Sequence, residues 1–228
     1  MTGKRTRRAA PPAKEAGRAA KVGRTSTGRA AKAGRGSREA APGTELKLTF
    51  REVTPDTWPD MERLFEAPGG PKYCWCMVWR ATPEEARSRD GPSRKRAMHK
   101  RVRTGVPVGI LAYDDGRPVA WCSIAPRSTY RPLGGPDQAP GENIWSLVCF
   151  FVLRPLRSRG LVGRLIAEAE AYARRGGATI LEAYPVEPAS PSYRFMGLVD
   201  TFQKAGYREV GRAGTRRRVM RKSLAGAG

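Results

Sequence analysis

The stretch WSLVCFFVLRPLRSRGLVGRLIAEAEAYA, residues 145–173, joins a predicted strand, a basic turn and a predicted helix. Residues 147–153 are almost all apolar and rich in β-branched and aromatic side chains, which is typical of a strand covered on both faces. After Gly160 the apolar side chains recur at helical spacing and leave Glu170 and Arg174 outside the stripe as a favourable ion pair. The stretch therefore predicts a buried strand, a short turn and an amphipathic helix that ends at Gly176.

The turn at residues 157–160 has the features of an anion site. The first N–H groups of a helix lack partners within it and carry the positive end of the helix dipole. Arg157 and Arg159 add charge and forked donors, and Gly160 allows a phosphate to approach the backbone closely. The alternative is an ordinary connection whose arginines are solvated. Two other phosphate-binding motifs are excluded, because the chain has no GxxxxGK[ST] and the glycine spacing here is not GxGxxG.

The rest of the chain carries strand and helix signals in a definite order. Further strands are predicted at residues 46–53, 107–113, 117–125, 178–184, 207–211 and 216–222. Helices are predicted at residues 54–66 with Thr54 as the cap, as two short helices between residues 82 and 102, and at residues 192–205. The run Asp114-Asp115-Gly116 predicts a hairpin turn between the second and third strands. This order predicts an α+β fold with a mixed sheet.

Basic residues dominate the first part of the chain. The formal net charge is +22 over 228 residues, and residues 1–44 carry 12 Lys and Arg against 2 Glu. This segment has too few apolar side chains to bury a core, which predicts a disordered basic tail before a domain at residues 45–228. Basic repeats such as GRAAK are compatible with weak, salt-sensitive nucleic-acid contact. A solvated charge run, GC-rich coding or an incorrectly assigned start would explain the same charge.

The compartment and the absence of a metal are inferred from what the sequence lacks. It has no run of 18 apolar residues and no signal-peptide core, so we expect a cytoplasmic protein without membrane contact. The four cysteines should then stay reduced. Cys74 and Cys76 lack the second C-x₂₋₄-C unit of a zinc site, and Cys122 and Cys149 fit small buried apolar positions. We therefore expect no metal.

The segment VLRPLRSRGLV, residues 152–162, resembles the acyl-CoA motif [RQ]-x-x-G-x-[GA] of the GNAT acetyltransferase superfamily. Arg157 and Gly160 match its first two positions, Val162 stands at the third, and Gly163 follows one residue later. Other segments are similar, in order, to a bacterial branch of that superfamily with a Cys-Trp-Cys-Met segment. They are KYCWCMVWR (72–80), VGILAYDDGRPVAWCSIAP (108–126), WSLVCFFV (145–152), ILEAYPVEP (180–188) and TFQKAGYREV (201–210).

This resemblance implies a mixed, mostly antiparallel sheet flanked by helices and an acetyl-CoA-dependent N-acetyltransferase. Acetyl-CoA would be the co-substrate, and a small-molecule or peptide amine would attack its thioester directly. The strand end that faces the thioester and pantetheine arm would be Phe150, Phe151 and Val152. The pyrophosphate loop would be Arg157, Ser158, Arg159, Gly160, Leu161, Val162 and Gly163.

The catalytic residues depart from the pattern of many relatives. Ser146 stands where those relatives place a glutamate, and Phe202 where they place a tyrosine. Nearby replacements are Glu182, Tyr184, Tyr193 and Cys149. Glu182 and Tyr184 are the best pair, because positions i and i+2 of a strand share one face. The alternative is that Tyr184 packs and Glu182 is a solvated strand end.

Two tryptophans are candidates for acceptor binding. Trp75 and Trp79 lie in the segment between the first two strands, which often shapes the acceptor pocket in this superfamily. Core packing is the alternative role for both. An alternative function also stays open, in which the domain is a catalytically weak or inactive acyl-CoA-binding module tethered to nucleic acid by its basic tail.

Overall fold

The computed structural model describes residues 46–224. The predicted tail at residues 1–44 lies outside this range, so its disorder and its nucleic-acid contact stay predictions. The described strands are β1 (Leu48–Glu52), β2 (Ile110–Asp114), β3 (Arg117–Pro126), β4 (Ile144–Val152), β5 (Ile180–Ala183), β6 (Arg208–Ala213) and β7 (Arg217–Ser223). The α-helices are α1 (Trp58–Glu66), α2 (Gly91–Arg103), α3 (Leu161–Arg175) and α4 (Val199–Lys204). None of these helices has the length and apolar character needed to cross a membrane.

The strands form one mixed sheet in the order β1-β2-β3-β4-β5-β7-β6. Only β4 and β5 run parallel, through the register Ile144–Leu147 against Ile180–Ala183, and the other neighbours are antiparallel. The crossover between β4 and β5 contains α3, as a parallel connection requires. The predicted α+β fold with a mixed, mostly antiparallel sheet is confirmed.

Helices cover both faces of the sheet. On one face α3 and α4 pack against the sheet through residues such as Leu165 and Phe202. On the other face α1 and α2 pack on it through residues such as Phe65 and Met98. Residues on both faces of β4 are buried, which explains why its sequence is a continuous apolar run.

Strand β4 contains a bulge, and its pairing with β5 ends before β4 does. Ser123 of β3 pairs with Cys149, whereas Ile124 pairs with Leu147, so Val148 is an extra residue in β4. Such a bulge leaves one residue out of the ladder and bends the strand. Beyond Leu147, β4 continues to Val152 with no strand beside it on the β5 side within the described residues. Apart from the Val152 carbonyl, which accepts from Arg157, the backbone groups of that edge are therefore available to a ligand.

Three local predictions were wrong, and each has a physical reason. Helix α1 begins at Trp58, not beside Thr54, because residues 55–57 form a turn in which the Thr57 hydroxyl donates to the Glu52 carbonyl over 2.7 Å. The predicted helix at residues 192–205 is interrupted at Gly197, whose φ of 92° leaves only the short α4. Glu170 is buried rather than exposed, because Lys222 Nζ lies 2.7 Å from its carboxylate.

In place of the two short helices predicted between residues 82 and 102, the structure has one 3₁₀ turn and the 13-residue α2. Thr82 and Glu85 bond each other's backbone N–H at 3.2 and 2.9 Å, which is a capping box, but it opens only the 3₁₀ turn Glu85–Arg87. Gly91 and Pro92 do not end a helix; they open α2, whose cap is Asp90, accepting from the Ser93 N–H over 2.7 Å.

Candidate active site

A groove of about 520 Å³ runs along the free edge of β4. One wall is the end of β4, with Phe150, Phe151 and Val152. Arg157 and Val162 line it where the chain turns into α3. The groove therefore joins an unpaired strand edge to the start of a helix.

The N-terminus of α3 is open and has the features that favour an anion. Gly160 is its N-cap residue and has a φ of 74°, a left-handed conformation that side chains other than glycine rarely adopt. Within the described residues, no side chain caps this end of α3, so its first N–H groups remain available to a ligand. A Cβ atom placed on Gly160 would meet nothing within 4 Å. Open space therefore lies in front of the positive end of a 15-residue helix.

Arg157 has a positioning contact as well as a charge. Its Nε donates to the carbonyl of Val152 over 3.1 Å, which ties the turn to the end of β4. Arg157 also lines the groove. The turn predicted from the sequence thus holds one arginine between the strand end and the helix.

The structure brings together part of the predicted acyl-CoA set. Gly160 and Gly163 line a shallow depression beside α3 that shares Thr201 with the groove. Leu161 has a buried side chain, so only its backbone can contact a ligand. Ser158 lies in the connecting turn with a φ of 63°, and Arg159 follows it in the same turn. The members that line the groove itself are Phe150, Phe151, Val152, Arg157 and Val162.

The opposite wall of the groove was missed by the sequence analysis. It comes from the segment before and within α4, with Arg194, Phe195, Leu198 and Thr201. The sequence analysis predicted a continuous helix over this segment, whereas the structure has a 3₁₀ turn followed by the short α4. The signal that could have found it is Gly197, a glycine at the point where the chain leaves the 3₁₀ turn Arg194–Met196.

A second, apolar cavity of about 220 Å³ adjoins the groove on the α1–α2 face of the sheet. Phe150, Phe151 and Phe195 line both spaces. Within the described residues, no lysine, arginine, aspartate or glutamate lines this cavity. Its other walls are Pro71, Cys74, Cys76, Val78 and Trp79 from the segment before β2, and Ser123, Val148 and Cys149 from β3 and β4.

The two candidate tryptophans have different environments. Trp79 lines the apolar cavity. Trp75 is not part of this cavity; it is buried between Trp58 and Phe65, with ring centroids 5.6 and 5.1 Å away. Trp75 has a φ of 42°, so the chain turns sharply here and its side chain packs in the core. Core packing, the alternative considered for both residues, describes Trp75.

Glu182 and Tyr184 share one face of the sheet, as the i,i+2 spacing predicts. The Tyr184 hydroxyl donates to the Glu182 carboxylate and lies 3.1 Å from the Ser146 hydroxyl. Both side chains are fully buried, so Glu182 is not a solvated strand end. Arg221 donates to the same carboxylate over 2.7 Å, and Arg127 lies 3.5 Å from it. Burial and the neighbouring Glu182 charge raise the pKa of Tyr184, which stays protonated at neutral pH.

Three cysteines lie at the apolar cavity. The thiol of Cys76 donates to Cys149, with a distance of 3.0 Å between the sulfur atoms. Interaction with the Cys76 side chain lowers the pKa of Cys74 to about 6, against its burial, which acts to raise it. Cys74 is partly exposed, and its lowered pKa favours the thiolate form at neutral pH. Within residues 46–224, no group of three or more His, Cys, Asp or Glu side chains is arranged to hold a metal ion.

Alkylation of the native protein tests the lowered pKa of the Cys74 thiol. We expect iodoacetamide to modify Cys74 with a half-maximal rate near pH 6, because the thiolate is the reactive form. Cys122 is the internal control: it is fully buried and burial raises its pKa, so it should resist modification at neutral pH. Peptide mass spectrometry across a pH series measures both. A Cys74 midpoint near the ordinary thiol pKa of about 8.5 would contradict the assignment.

Comparison with known proteins identifies the family. The profile described as Acetyltransferase (GNAT) family matches residues 60–198, which is more than half of the chain. The chain belongs to this family. No curated protein matches the sequence.

Solved structures with similar folds include several acetyltransferases. One is the PaiA N-acetyltransferase from Thermoplasma acidophilum in complex with coenzyme A, with 14% identity, a TM-score of 0.47, and 78% of this chain and 99% of that chain covered. Another is a ribosomal-protein-alanine N-acetyltransferase from Brucella melitensis, with 19% identity, a TM-score of 0.48, and 77% and 99% covered. A third is an aminoglycoside N(6')-acetyltransferase from Legionella pneumophila, with 14% identity, a TM-score of 0.45, and 80% and 95% covered.

Proposed function

We propose that this protein is an acetyl-CoA-dependent N-acetyltransferase in which an amine acceptor attacks the thioester directly. The observation that supports it most is the groove along the free edge of β4, which ends at the N-terminus of α3. This geometry occurs in a chain that belongs to the GNAT acetyltransferase family. A strand edge with unpaired amides suits an amide-containing arm, and a helix N-terminus suits a pyrophosphate.

The residues of the groove fit acetyl-CoA. The uncapped start of α3, with Gly160 in the left-handed conformation and free space before it, would hold the pyrophosphate. Arg157 would add a positive charge at the same end. Phe150 and Phe151 would pack on the pantetheine arm, while the free backbone of β4 bonds its amides. Arg194 on the opposite wall supplies a second cation.

The bulge at Val148 would orient the reacting carbonyl. Acetyl-CoA, when bound, supplies an acyl group activated as a thioester. A backbone N–H released from the ladder at the bulge can donate to the carbonyl oxygen as negative charge develops there. The sheet holds this donor rigidly, because β3 pairs with β4 on both sides of the bulge.

Glu182 and Tyr184 are our proposed catalytic pair, acting through Ser146. Ser146 lies on β4, and its hydroxyl meets Tyr184, whose hydroxyl meets the Glu182 carboxylate. This chain of hydrogen bonds leads from β4 to a buried carboxylate. None of these three side chains lines the groove or the apolar cavity, so a proton from the acceptor amine would first have to reach Ser146. It would then pass along the chain to Glu182, whose carboxylate pairs with Arg221.

The apolar cavity beside Trp79 is the proposed acceptor site. It adjoins the groove at Phe150 and Phe151, which places it next to the proposed position of the acyl carbon. An uncharged lining disfavours the ammonium form of an entering amine, and only the neutral amine is a nucleophile. A cavity of 150 Å³ can hold a benzene ring, so about 220 Å³ admits an amine with a small apolar substituent. The amine of a small molecule or of a peptide end fits this description.

Calorimetry and a thiol-release assay on the full-length protein test this function. We expect acetyl-CoA to bind with an affinity better than millimolar. We also expect free CoA thiol to appear faster with an amine from a broad panel than without acceptor. The control is a heat-denatured sample with the same amines, which measures uncatalysed aminolysis.

The two readouts separate the proposed enzyme from the alternative. Absence of binding at millimolar acetyl-CoA would contradict the proposed function altogether. Binding without thiol release across the panel would favour the catalytically inactive acyl-CoA-binding module. Contact of residues 1–44 with nucleic acid rests on their charge alone and stays a prediction.

A further inference from the structure

Three of the four cysteines meet at one cavity, although they come from two distant parts of the chain. Cys74 and Cys76 lie in the segment before the 3₁₀ turn Met77–Trp79, and Cys149 lies on β4 beside the bulge. The sulfur atoms of Cys76 and Cys149 are 3.0 Å apart across a sequence separation of 73 residues. A disulfide bond measures about 2 Å, so a small side-chain movement would suffice to join them.

The position of these thiols is fixed by an unusual backbone. Trp75 and Cys76 both have left-handed conformations, with φ of 42° and 50°, which are uncommon for residues other than glycine. Backbone hydrogen bonds hold the turn, since the N–H groups of Cys74 and Trp75 both donate to Pro71 O, at 3.1 and 3.0 Å. Such strain persists only where the surrounding structure enforces it. The turn directs the Cys76 thiol onto β4.

The three thiols differ in exposure and in charge environment. Cys74 is partly exposed, next to the exposed Tyr73, whereas Cys76 and Cys149 are buried. Arg94 donates to the Tyr73 carbonyl over 2.8 Å, which brings a guanidinium group close to Cys74. The Cys76 side chain lowers the pKa of the Cys74 thiol to about 6, whereas burial raises the pKa of Cys76. The partly exposed Cys74 is therefore the thiol that a solute can reach, and Cys76 and Cys149 lie deeper in the protein.

We propose that Cys74, Cys76 and Cys149 form a peroxide-sensitive thiol relay that ends in a Cys76–Cys149 disulfide across the apolar cavity. The ligand class is a small hydroperoxide, of which hydrogen peroxide is the simplest. Disulfides that form in reducing compartments are usually catalytic or redox-sensing rather than structural.

Each step of the relay is balanced. The Cys74 thiolate attacks one peroxide oxygen, so the O–O bond breaks, a sulfenic acid forms and hydroxide leaves. The Cys76 thiol attacks that sulfur, which forms a Cys74–Cys76 disulfide and releases water. The Cys149 thiol then attacks the Cys76 sulfur, which forms the Cys76–Cys149 disulfide and returns Cys74 to the thiol. The cysteines lose two electrons in total, and the peroxide gains them.

The final disulfide would change the proposed acceptor site, and this consequence rests on the proposed function. It would fasten the segment with Cys76 to β4 directly beside Val148, within the cavity that both cysteines line. Acceptor entry should then be impaired, whereas the acetyl-CoA groove, which none of the three cysteines lines, should keep its affinity. Oxidation is therefore expected to lower transfer activity reversibly, with recovery in dithiothreitol.

The test is thiol mapping of the reduced full-length protein after a small molar excess of hydrogen peroxide. Peptide mass spectrometry without reduction should find Cys76 joined to Cys149, and Cys74 and Cys122 free. The Cys149→Ala variant should stop at a Cys74–Cys76 disulfide. Cys74→Ala should oxidise at least about tenfold more slowly at neutral pH, because it lacks the thiolate that attacks peroxide. The matched control, Cys122→Ala, should behave as the wild type, since Cys122 does not line the cavity.

Two results would overturn the relay. One is a wild-type protein in which peroxide produces no Cys76–Cys149 disulfide; the other is a Cys74→Ala variant that oxidises at the wild-type rate. Circular dichroism in dithiothreitol checks that each variant is folded, and Cys149→Ser replaces Cys149→Ala if the latter is not. Mapping does not depend on acetyl-CoA, so a failure of the proposed function would appear in the calorimetry and leave this test intact.

Discussion

The Gly160→Glu variant is expected to lose most of its affinity for acetyl-CoA. Glutamate would have to adopt a φ of 74° and would place a carboxylate at the start of α3, where the proposed pyrophosphate binds. The carboxylate would both repel the pyrophosphate and occupy the N–H groups intended for it. We expect binding at least about 100-fold weaker, which corresponds to about 2.7 kcal/mol. Isothermal titration calorimetry measures this change.

A matched variant separates the local effect from the general effect of a strained glutamate. Gly105 has a φ of 73°, and a Cβ there would also meet nothing within 4 Å, but Gly105 lies just beyond the C-terminal end of α2 and not at the start of α3. Gly105→Glu should therefore bind acetyl-CoA as the wild type does. Normal binding by Gly160→Glu would show that the anion site is elsewhere. Equal losses in both variants would indicate a stability effect instead.

The Glu182→Ala variant is expected to lose a large part of the stability of the fold. Glu182 is fully buried, and its carboxylate takes hydrogen bonds from Tyr184 and Arg221. Removing it leaves the largely buried Arg221 without its principal partner, and breaking one side of a buried ion pair destabilises proteins by about 3–5 kcal/mol. For a domain of this size that corresponds to a midpoint lower by roughly 6–20 °C. Urea and thermal unfolding of the full-length protein measure both quantities.

Glu187→Ala is the control for the loss of a glutamate–arginine pair. Glu187 lies 3.0 Å from Arg218 but is half exposed, and exposed pairs contribute little. A stability loss in Glu182→Ala no greater than in Glu187→Ala would contradict the buried network.

The Glu182→Gln variant tests the proposed role of Glu182 as the catalytic base. Glutamine can still accept a hydrogen bond from Tyr184 but cannot take up a proton as a carboxylate does. If Glu182 is the base, kcat should fall by about 10²–10⁴ at a temperature where the variant is folded. A folded Glu182→Gln enzyme with wild-type kcat would restrict Glu182 to a structural role.

Much of the fold could be predicted from local sequence patterns. The apolar run at residues 147–153 and the stripe after Gly160 correspond to β4 and α3, with ends displaced by only a few residues. Hydrophobic periodicity and glycine positions are local properties that persist in the folded state. The shared face of Glu182 and Tyr184 is equally local, because it depends only on strand geometry. The helix predicted at residues 192–205 was the main exception, since one residue, Gly197, interrupts it.

The contents of the site depended on contacts between distant segments. The sequence does not indicate that Cys76 would lie 3.0 Å from Cys149, that Arg221 would neutralise Glu182, or that Trp75 would pack in the core while Trp79 lines the cavity. The bulge at Val148 is likewise visible only in the register between β3 and β4.

The sequence by itself determined the α+β fold, the strand-turn-helix unit with its basic turn, and the resemblance to an acetyltransferase family, because each is encoded in neighbouring residues. Only the tertiary structure decided which side chains meet at the groove and the apolar cavity, which carboxylate is buried, and which thiols are in contact. Those features depend on strand register, on contacts between distant segments and on the exclusion of water. None of these is a property of a short segment.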